Sequence, residues 1–456
     1  MQYKVFGCKV NKYYTDRWLN SDYLSDKTGT FVASCVVTDN AKRKWVRFVK
    51  KELESISWNG KIYISGCGAF KDGKAQTDFF EIYPDLAFGK DKIEILDEAP
   101  IEDKKEAIPR ENKTKKAQKI NVSKLNKLKA AQKTQIYTRK YLLIQGGCDS
   151  FCTFCLTVQK RGRHYYRAAE DIVEEIREFE AEWGKEVVLT GVNLSAWWLE
   201  NTHDISNFSP DLVKNEVNWW GSRFAELLRY ILDNTSIPRL RISSLGPEFI
   251  DDAVLKILWE ERIYPHFHFS IQSGSNTTLK SMARHYDWDY MRKLLEKTRN
   301  ITRQDGVSIS IWADLIVWFP GESEEDFMDT YNLVKDYKIT KVHAFPFSPH
   351  TMGESVPAGT FKQQVPETIK KERMNTLMEL WDKVRNNFKT SQKWKVLKVL
   401  IEKVASSSLS QGGIEVGEKN IVWSGWSENY IECNQNNFEI IAGKPERNHI
   451  IVGTFL

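Results

Sequence analysis

The first hundred residues alternate short apolar runs, at 4–10, 31–37 and 61–65, with charged stretches of helical length. That alternation predicts a small α/β domain built on a parallel sheet. From about residue 136 it resumes on a larger scale. A strand at 141–144 precedes a helix at 170–183, where Ile172, Val173, Ile176, Phe179 and Trp183 share one face. Further strands are predicted at 187–190, 239–244, 267–271, 307–319 and 341–347. Between them lie helical segments at 250–259, entered through Pro247, and at 287–301, capped by Asp287; Ser323 and Asp326 have the spacing of a capping box. Six strands, each followed by a crossover, predict an incomplete (β/α)6 barrel. Its polar and glycine-rich turns fall at the carboxyl ends of the strands, the face that carries chemistry in such barrels. A helix at 366–388 leaves the barrel, and 394–456 reads as short strands with turns near Gly412, Lys419 and Gly443, a small β-barrel. The predicted division is 1–98, a linker at 99–137, 138–390 and 391–456.

Charge changes this picture at one place. The 456 residues carry a net charge of only +5, yet residues 101–140 hold 13 Lys and Arg against 4 Asp and Glu. This basic segment is either a contact for a polyanion or a solvated linker. The composition is otherwise that of an ordinary soluble protein. With no apolar run of membrane-spanning length and an N-terminus that reads as a strand, a cytoplasmic protein without a membrane partner is expected. Seven cysteines, six of them in motif-like settings, suit a reducing compartment and metal binding better than disulfides.

Chemistry concentrates in Gln145-Gly-Gly-Cys148-Asp-Ser-Phe-Cys152-Thr-Phe-Cys155. Three thiols in the order CxxxCxxC suit a [4Fe–4S] cluster with one iron left open for an exchangeable ligand. The preceding glycines would let the backbone wrap closely around it. A zinc site completed by His164, or a disulfide with a spare thiol, are the alternatives. Cys8, Cys35 and Cys67 each stand where a strand should end, so they could converge on a second cluster; the alternative is three core thiols. Cys433 reads as a core thiol. Arg161, Arg163 and Arg167, with Tyr165 and Tyr166 between them, offer guanidinium groups for phosphate and rings for base stacking, as single-stranded RNA requires. A solvated helix start explains them as well, and His164 among them reads as a polar surface residue.

The CxxxCxxC loop, with Phe154 before its third thiol, resembles the cluster-binding loop of the radical S-adenosylmethionine (SAM) enzymes. FGCKVN, SCVVT, SGCGA, CDSFCTFC, LTGVN, RLRISSLGP, FHFSIQSGS and FPGE, in that order along almost the whole chain, resemble the methylthiotransferases of that superfamily. The resemblance implies an N-terminal domain with three cluster cysteines, a radical SAM barrel and a C-terminal TRAM β-barrel. It implies that Cys148, Cys152 and Cys155 hold the cluster that cleaves SAM to a 5′-deoxyadenosyl radical. By the same resemblance Cys8, Cys35 and Cys67 hold an auxiliary [4Fe–4S] cluster carrying the sulfur to be inserted. SAM would both methylate that sulfur and supply the radical that removes hydrogen from adenine C2, a position too weakly acidic for an ordinary base. Phe154, Gly191, Asn193, Ser243, Gln272 and Asp314 are the SAM-pocket candidates, with ordinary barrel-mouth structure as the alternative for each. The partners implied are tRNA, an electron donor and a sulfur donor.

GCKVN and CVVT look most like the subgroup acting on threonylcarbamoyladenosine beside the tRNA anticodon; the other subgroups act on isopentenyladenosine in tRNA or on a ribosomal-protein aspartate. Some positions depart from the family. Pro is frequent near Val158 and an acidic residue where Gly246 stands, and residues 394–456 hold 6 Lys and Arg against 7 Glu. Trp312, Trp318 and one of Trp197 and Trp198 stand where glycine is expected. Either these codons are UGA, decoded as glycine in the source organism, or the tryptophans are real and compensated by repacking. Real tryptophans that blocked the SAM pocket would favour a non-catalytic iron–sulfur RNA-binding protein.

Overall fold

The computed structural model describes residues 1–55, 60–100, 136–197, 223–407 and 420–456. Most of the basic segment, the turn near Gly412, Lys419 and Trp198 lie outside the described residues. The chain forms two compact units, Met1–Val36 with Asn40–Tyr137, and Val37–Asp39 with Thr138–Leu456. Among the described residues no helix is long and apolar enough to cross a membrane.

The first unit is a parallel sheet of β1 (Gln2–Val5), β2 (Gly29–Ser34), β3 (Lys61–Gly66) and β4 (Ile93–Ile95), side by side in that order. The run at 4–10 is strand only to Val5. Gly7 turns the chain at φ +99°, and Cys8 stands at the N-cap of helix α1 (Lys9–Leu19), which buries Val10, Tyr13, Tyr14 and Trp18. Helix α2 (Asp39–Ser55) places Trp45, Val46, Val49 and Leu53 on one face against Ile62, Ile64 and Ile93 of the sheet. Trp45 is fully buried, 4.7 Å edge-on from the Tyr83 ring.

The second unit contains the six predicted barrel strands, β5 (Lys140–Gly146), β6 (Glu186–Gly191), β7 (Arg239–Ile242), β8 (His266–Gln272), β9 (Ser310–Val317) and β10 (Lys341–Pro346). The first three and the last three are parallel neighbours in chain order, and a bridge between Leu240 and Ile263 joins the sets. Helices α3 (Ala169–Ala181), α4 (Phe224–Asn234), α5 (Asp252–Ile257), α6 (Trp288–Arg299) and α7 (Glu324–Asp336) fall between them. The predicted caps are present: Asp287 accepts from Tyr290 N, and Ser323 and Asp326 form a reciprocal capping box. Helix α8 (Glu367–Ser391) leads to an antiparallel sheet of β11 (Val396–Ser407), β12 (Asn420–Ser427), β13 (Glu432–Asn434), β14 (Phe438–Ala442) and β15 (Ile450–Phe455). Cys433 is wholly buried in its core with Val399, Trp423 and Ile451, and burial pushes its thiol up to about 12.

An ion cluster on the inner barrel face ties these parts together. Glu186 accepts from Arg239 Nε at 2.7 Å and Arg241 Nε at 2.8 Å, with Arg139 3.6 Å away. The two guanidinium groups from β7 also donate to the carbonyls of Trp426, Ser427 and Glu428 beyond the barrel. Burial by itself pushes the Glu186 carboxyl up, but Arg241, Arg239 and Arg139 outweigh it and hold the group down at about 2. A depressed carboxylate contributes stability above its unfolded value and loses it as pH falls through the folded one. Stability is therefore expected to fall between roughly pH 4.5 and 2, and Glu186→Gln to remove that acid slope. At pH 7 the variant, which strands buried guanidinium groups, is expected to cost about 3–5 kcal/mol. Denaturant unfolding checks both; a cost under about 1 kcal/mol would contradict the account.

Candidate functional site

The cysteine loop leaves the carboxyl end of β5 through two glycines that have no room for a side chain. A Cβ on Gly146 would lie 2.2 Å from the Tyr165 ring, and one on Gly147, at φ +61°, 1.8 Å from the Arg163 carbonyl oxygen. These glycines thus admit the returning strand Tyr165–Tyr166, which pairs with Gly146 and Gln145. Cys148 N donates back to Gly162 O at 3.1 Å, closing the loop.

Each thiol of the loop has a donor beside it. Ser150 N is 3.4 Å from Cys148 Sγ, Thr157 N is 3.4 Å from Cys155 Sγ, and Arg284 Nη1 is 3.2 Å from Cys152 Sγ. Burial pushes the Cys148 thiol up to about 12, with Cys152 and Cys155 pushing the same way. Burial also raises Cys152, reinforced by Cys155 and opposed by Arg284. Cys148 and Cys152 thiols held back from ionisation, in a loop with N–H donors directed at all three sulfurs, fit a bound cationic centre that takes up thiolate charge. Arg284 is itself anchored by Glu248 at 3.4 Å, the Ser270 carbonyl at 3.3 Å and Tyr286 Oη at 3.1 Å.

The adjoining rim is built on Gln145, whose Oε1 accepts from Val192 N at 2.9 Å and Asn193 N at 2.8 Å just past Gly191. Asn193 Nδ2 is 3.5 Å from Ser150 Oγ, while its Oδ1 is buried with no hydrogen-bond partner among the described residues. An unsatisfied buried acceptor beside the cysteine loop fits a polar ligand that donates to it. A Cβ on Gly246 would lie 2.3 Å from that same Oδ1, so an acidic residue here would require the Asn193 side chain to shift. Ser243 is buried with its N–H on Leu189 O, Gln272 turns the end of β8 at φ +72°, and Phe154 is half-buried. Asp314 is engaged by His268 and His343; their three ligand atoms lie within 4.8 Å of one another. Burial pushes the Asp314 carboxyl up, but the two imidazoles hold it well below the usual carboxylate range.

The basic and aromatic cluster is largely inward-facing. Arg161 is only 2% exposed, and Arg167 is spent on Glu175 at 2.8 Å and the Leu143 carbonyl at 2.9 Å. Arg163 alone of the three is exposed, although it pairs with Asp149 at 2.8 Å and lies over Phe151. Tyr165 covers Gly146, and Tyr166 meets the Trp197 ring edge-on at 5.8 Å. Of the three arginines Arg161 is buried, Arg167 half-buried and Arg163 exposed. His164 is not a surface residue either: its Nδ1 meets Gln145 Nε2 at 2.9 Å, and burial lowers it to about 4.

In the first unit Cys35 and Cys67 directly follow β2 and β3, and Cys8 lies just beyond β1, at the same edge of three adjacent strands. A Cβ on Gly7 would lie 2.9 Å from Cys35 Sγ, so this glycine lets the Cys8 turn approach Cys35 closely. Asn11 Nδ2 holds that turn by donating to the carbonyls of Phe6 and Ser34, 2.7 Å each.

Backbone geometry separates the tryptophans. Trp197 donates to the Arg167 carbonyl at 3.0 Å, and Trp312 packs edge-on against His266 at 4.3 Å, in ordinary conformations. Trp318 stands at φ +72° with its indole nitrogen buried and unpaired among the described residues. Trp183 and Trp394, just past helices α3 and α8, also have positive φ, 61° and 67°, and are 78% and 73% exposed. A left-handed residue after a helix is usually glycine, because any other pays about 1–2 kcal/mol. The gene is expected to carry UGA, decoded as glycine, at codons 183, 318 and 394. Sequencing it checks this, and UGG at 318 would contradict it.

Known proteins similar to this chain agree on one chemistry. The profile of the radical SAM superfamily matches residues 142–334. The threonylcarbamoyladenosine tRNA methylthiotransferase of Bacillus subtilis (strain 168) is 28% identical over 464 residues, covering 97% of this chain and 91% of that one. Its counterpart in Thermotoga maritima is 31% identical over 420 residues, covering 88% and 86%. The tRNA-2-methylthio-N(6)-dimethylallyladenosine synthase of Clostridioides difficile is 26% identical over 413 residues, covering 88% and 80%.

Proposed function

The chain belongs to the radical SAM tRNA methylthiotransferases, and from that premise we propose that it adds a methylthio group to C2 of N6-threonylcarbamoyladenosine next to the tRNA anticodon. The observation that supports the substrate is the similarity to relatives named for threonylcarbamoyladenosine, 28–31% identical over 88–97% of this chain, where dimethylallyladenosine synthases are 26% identical over 88% of it or 33% identical over 58%. The dimethylallyl compound is the second reading.

Cys148, Cys152 and Cys155 would hold the [4Fe–4S] cluster, and the N–H donors set beside their three sulfurs support that assignment. Cys8, Cys35 and Cys67, at one edge of a parallel sheet, would hold a second cluster. Bound there, these groups with SAM supply the one-electron cleavage of SAM, the hydrogen abstraction and the sulfur. The chain's own residues supply placement. Arg284 would place positive charge and a donor against the Cys152 sulfur. Gln145 fixes the backbone of Val192 and Asn193, so that Asn193 Oδ1 presents an acceptor to SAM. Asn193 and Ser150 lie together and would keep SAM beside the cysteine loop.

Reconstituted protein, given SAM, reductant and an anticodon stem-loop carrying threonylcarbamoyladenosine, is expected to yield the 2-methylthio nucleoside by mass spectrometry. Turnover of the dimethylallyl stem-loop instead would transfer the function to the second reading.

A further inference from the structure

Strand register brings together three ligand-type side chains that belong to neither cysteine set. In the adjacent parallel strands β8, β9 and β10, His343 pairs directly with Asp314. His268 pairs with Trp312, two residues before Asp314 and so on the same face of β9. Both imidazoles contact one carboxylate oxygen: His268 Nε2 is 2.8 Å and His343 Nδ1 3.2 Å from Asp314 Oδ1. Their ring centroids are 4.8 Å apart, with the planes at 81°. Asp314 Oδ2 has only Ser270 Oγ, 3.4 Å away, among the described residues.

Hydrogen bonding alone leaves this arrangement uneven, with two donors on one oxygen and a long contact on the other. A shared metal ion accounts for the convergence. Ligand atoms about 2.0–2.2 Å from one ion stand about 2.8–3.5 Å from each other, and both N–O separations fall in that range. An outer partner is also in place. Ser244 Oγ is 3.1 Å from His268 Nδ1, where a ligating imidazole is ordinarily held by its second nitrogen. The His268 side chain is 5% exposed and that of His343 31%, so one flank of the group is walled off and the other reaches solvent.

We infer that His268, Asp314 and His343 bind a divalent first-row transition ion through His268 Nε2, His343 Nδ1 and an Asp314 oxygen, with open positions toward solvent. Two imidazoles and one carboxylate are the ligand set of non-haem ferrous sites, so the ion is of the ferrous class. Each imidazole binds as the neutral ring. The nitrogen that now faces Asp314 gives its lone pair to the ion, and the proton resides on the other nitrogen, which in His268 is the one beside Ser244. The site uses no cysteine and does not depend on which N6 substituent the substrate carries.

The test titrates manganese(II) into full-length reconstituted protein, with excess iron removed and the clusters in their EPR-silent oxidised state, and follows loss of the free manganese signal. Saturable binding is expected, with ferrous ion displacing manganese because iron stands above it in the stability order. Spin-echo modulation of the bound ion is expected to show imidazole nitrogen from both rings and to change when the histidines carry nitrogen-15. Asp314→Asn and His343→Ala are each expected to weaken binding about a hundredfold, and Ser244→Ala, which keeps every ligand, about tenfold. The spin-echo reading uses the parent protein alone, so it decides even if the variants fail to fold. No bound manganese at concentrations on the order of millimolar, a bound ion without imidazole nitrogen, or unchanged affinity in a folded Asp314→Asn protein would overturn the inference.

Discussion

Replacing Cys148, Cys152 and Cys155 together by alanine is expected to remove one cluster, about four of about eight irons per chain, and to abolish reductive SAM cleavage. Ligation by these three thiols is cooperative. Each thiol is buried or half-buried, and Cys148 and Cys152 are pushed away from ionisation by burial and by their neighbours. Without a bound cation these thiolates have little reason to form together; with one, the donors from Ser150, Thr157 and Arg284 favour them. Cleavage is all-or-none in this view. The loss of 5′-deoxyadenosine should exceed about a thousandfold, since the cofactor rather than the protein supplies the difficult step. Chromatography of 5′-deoxyadenosine alongside iron analysis checks it; a variant that still cleaves SAM at a comparable rate would contradict the assignment.

The second large effect is of another kind. Alanine at Cys8, Cys35 and Cys67 is expected to remove the other group of about four irons and to eliminate the methylthio product, while 5′-deoxyadenosine still forms. The three cysteines belong to a separate compact unit with its own core around Trp45, so the barrel site does not depend on them for its ligands. Iron analysis, 5′-deoxyadenosine and nucleoside product measured on one sample separate the two cysteine sets. Methylthio product from the triple variant would contradict a sulfur-carrying role for the N-terminal set.

These cysteines stood out in the chain through local patterns, close spacing in Cys148 to Cys155 and a repeated place at strand ends in Cys35 and Cys67. The barrel strands were legible because apolar runs with caps such as Asp287 and Ser323 are also local. What failed depended on partners distant in sequence. Phe6 and Val10 look like one strand with Val5, but the turn at Gly7 gives Val10 to a helix. Arg167 looks like surface charge because a sequence does not display the Leu143 carbonyl or Glu175 waiting for it. Arg284 carries no signature at all, since its contact with Cys152 crosses 132 positions. His268 and His343 did leave a trace, as polar residues inside apolar strands. Their meeting at Asp314 needs the register of three strands, which no local pattern contains.

The similarity to methylthiotransferases leaves the N6 substituent as the central claim. The most direct measurement is mass spectrometry of tRNA nucleosides from cells with the gene intact, deleted and restored. Deletion is predicted to abolish 2-methylthio-threonylcarbamoyladenosine, leave its unthiolated precursor in place, and be reversed by the intact gene. An unchanged level of that nucleoside, with loss of the dimethylallyl counterpart instead, would contradict the account.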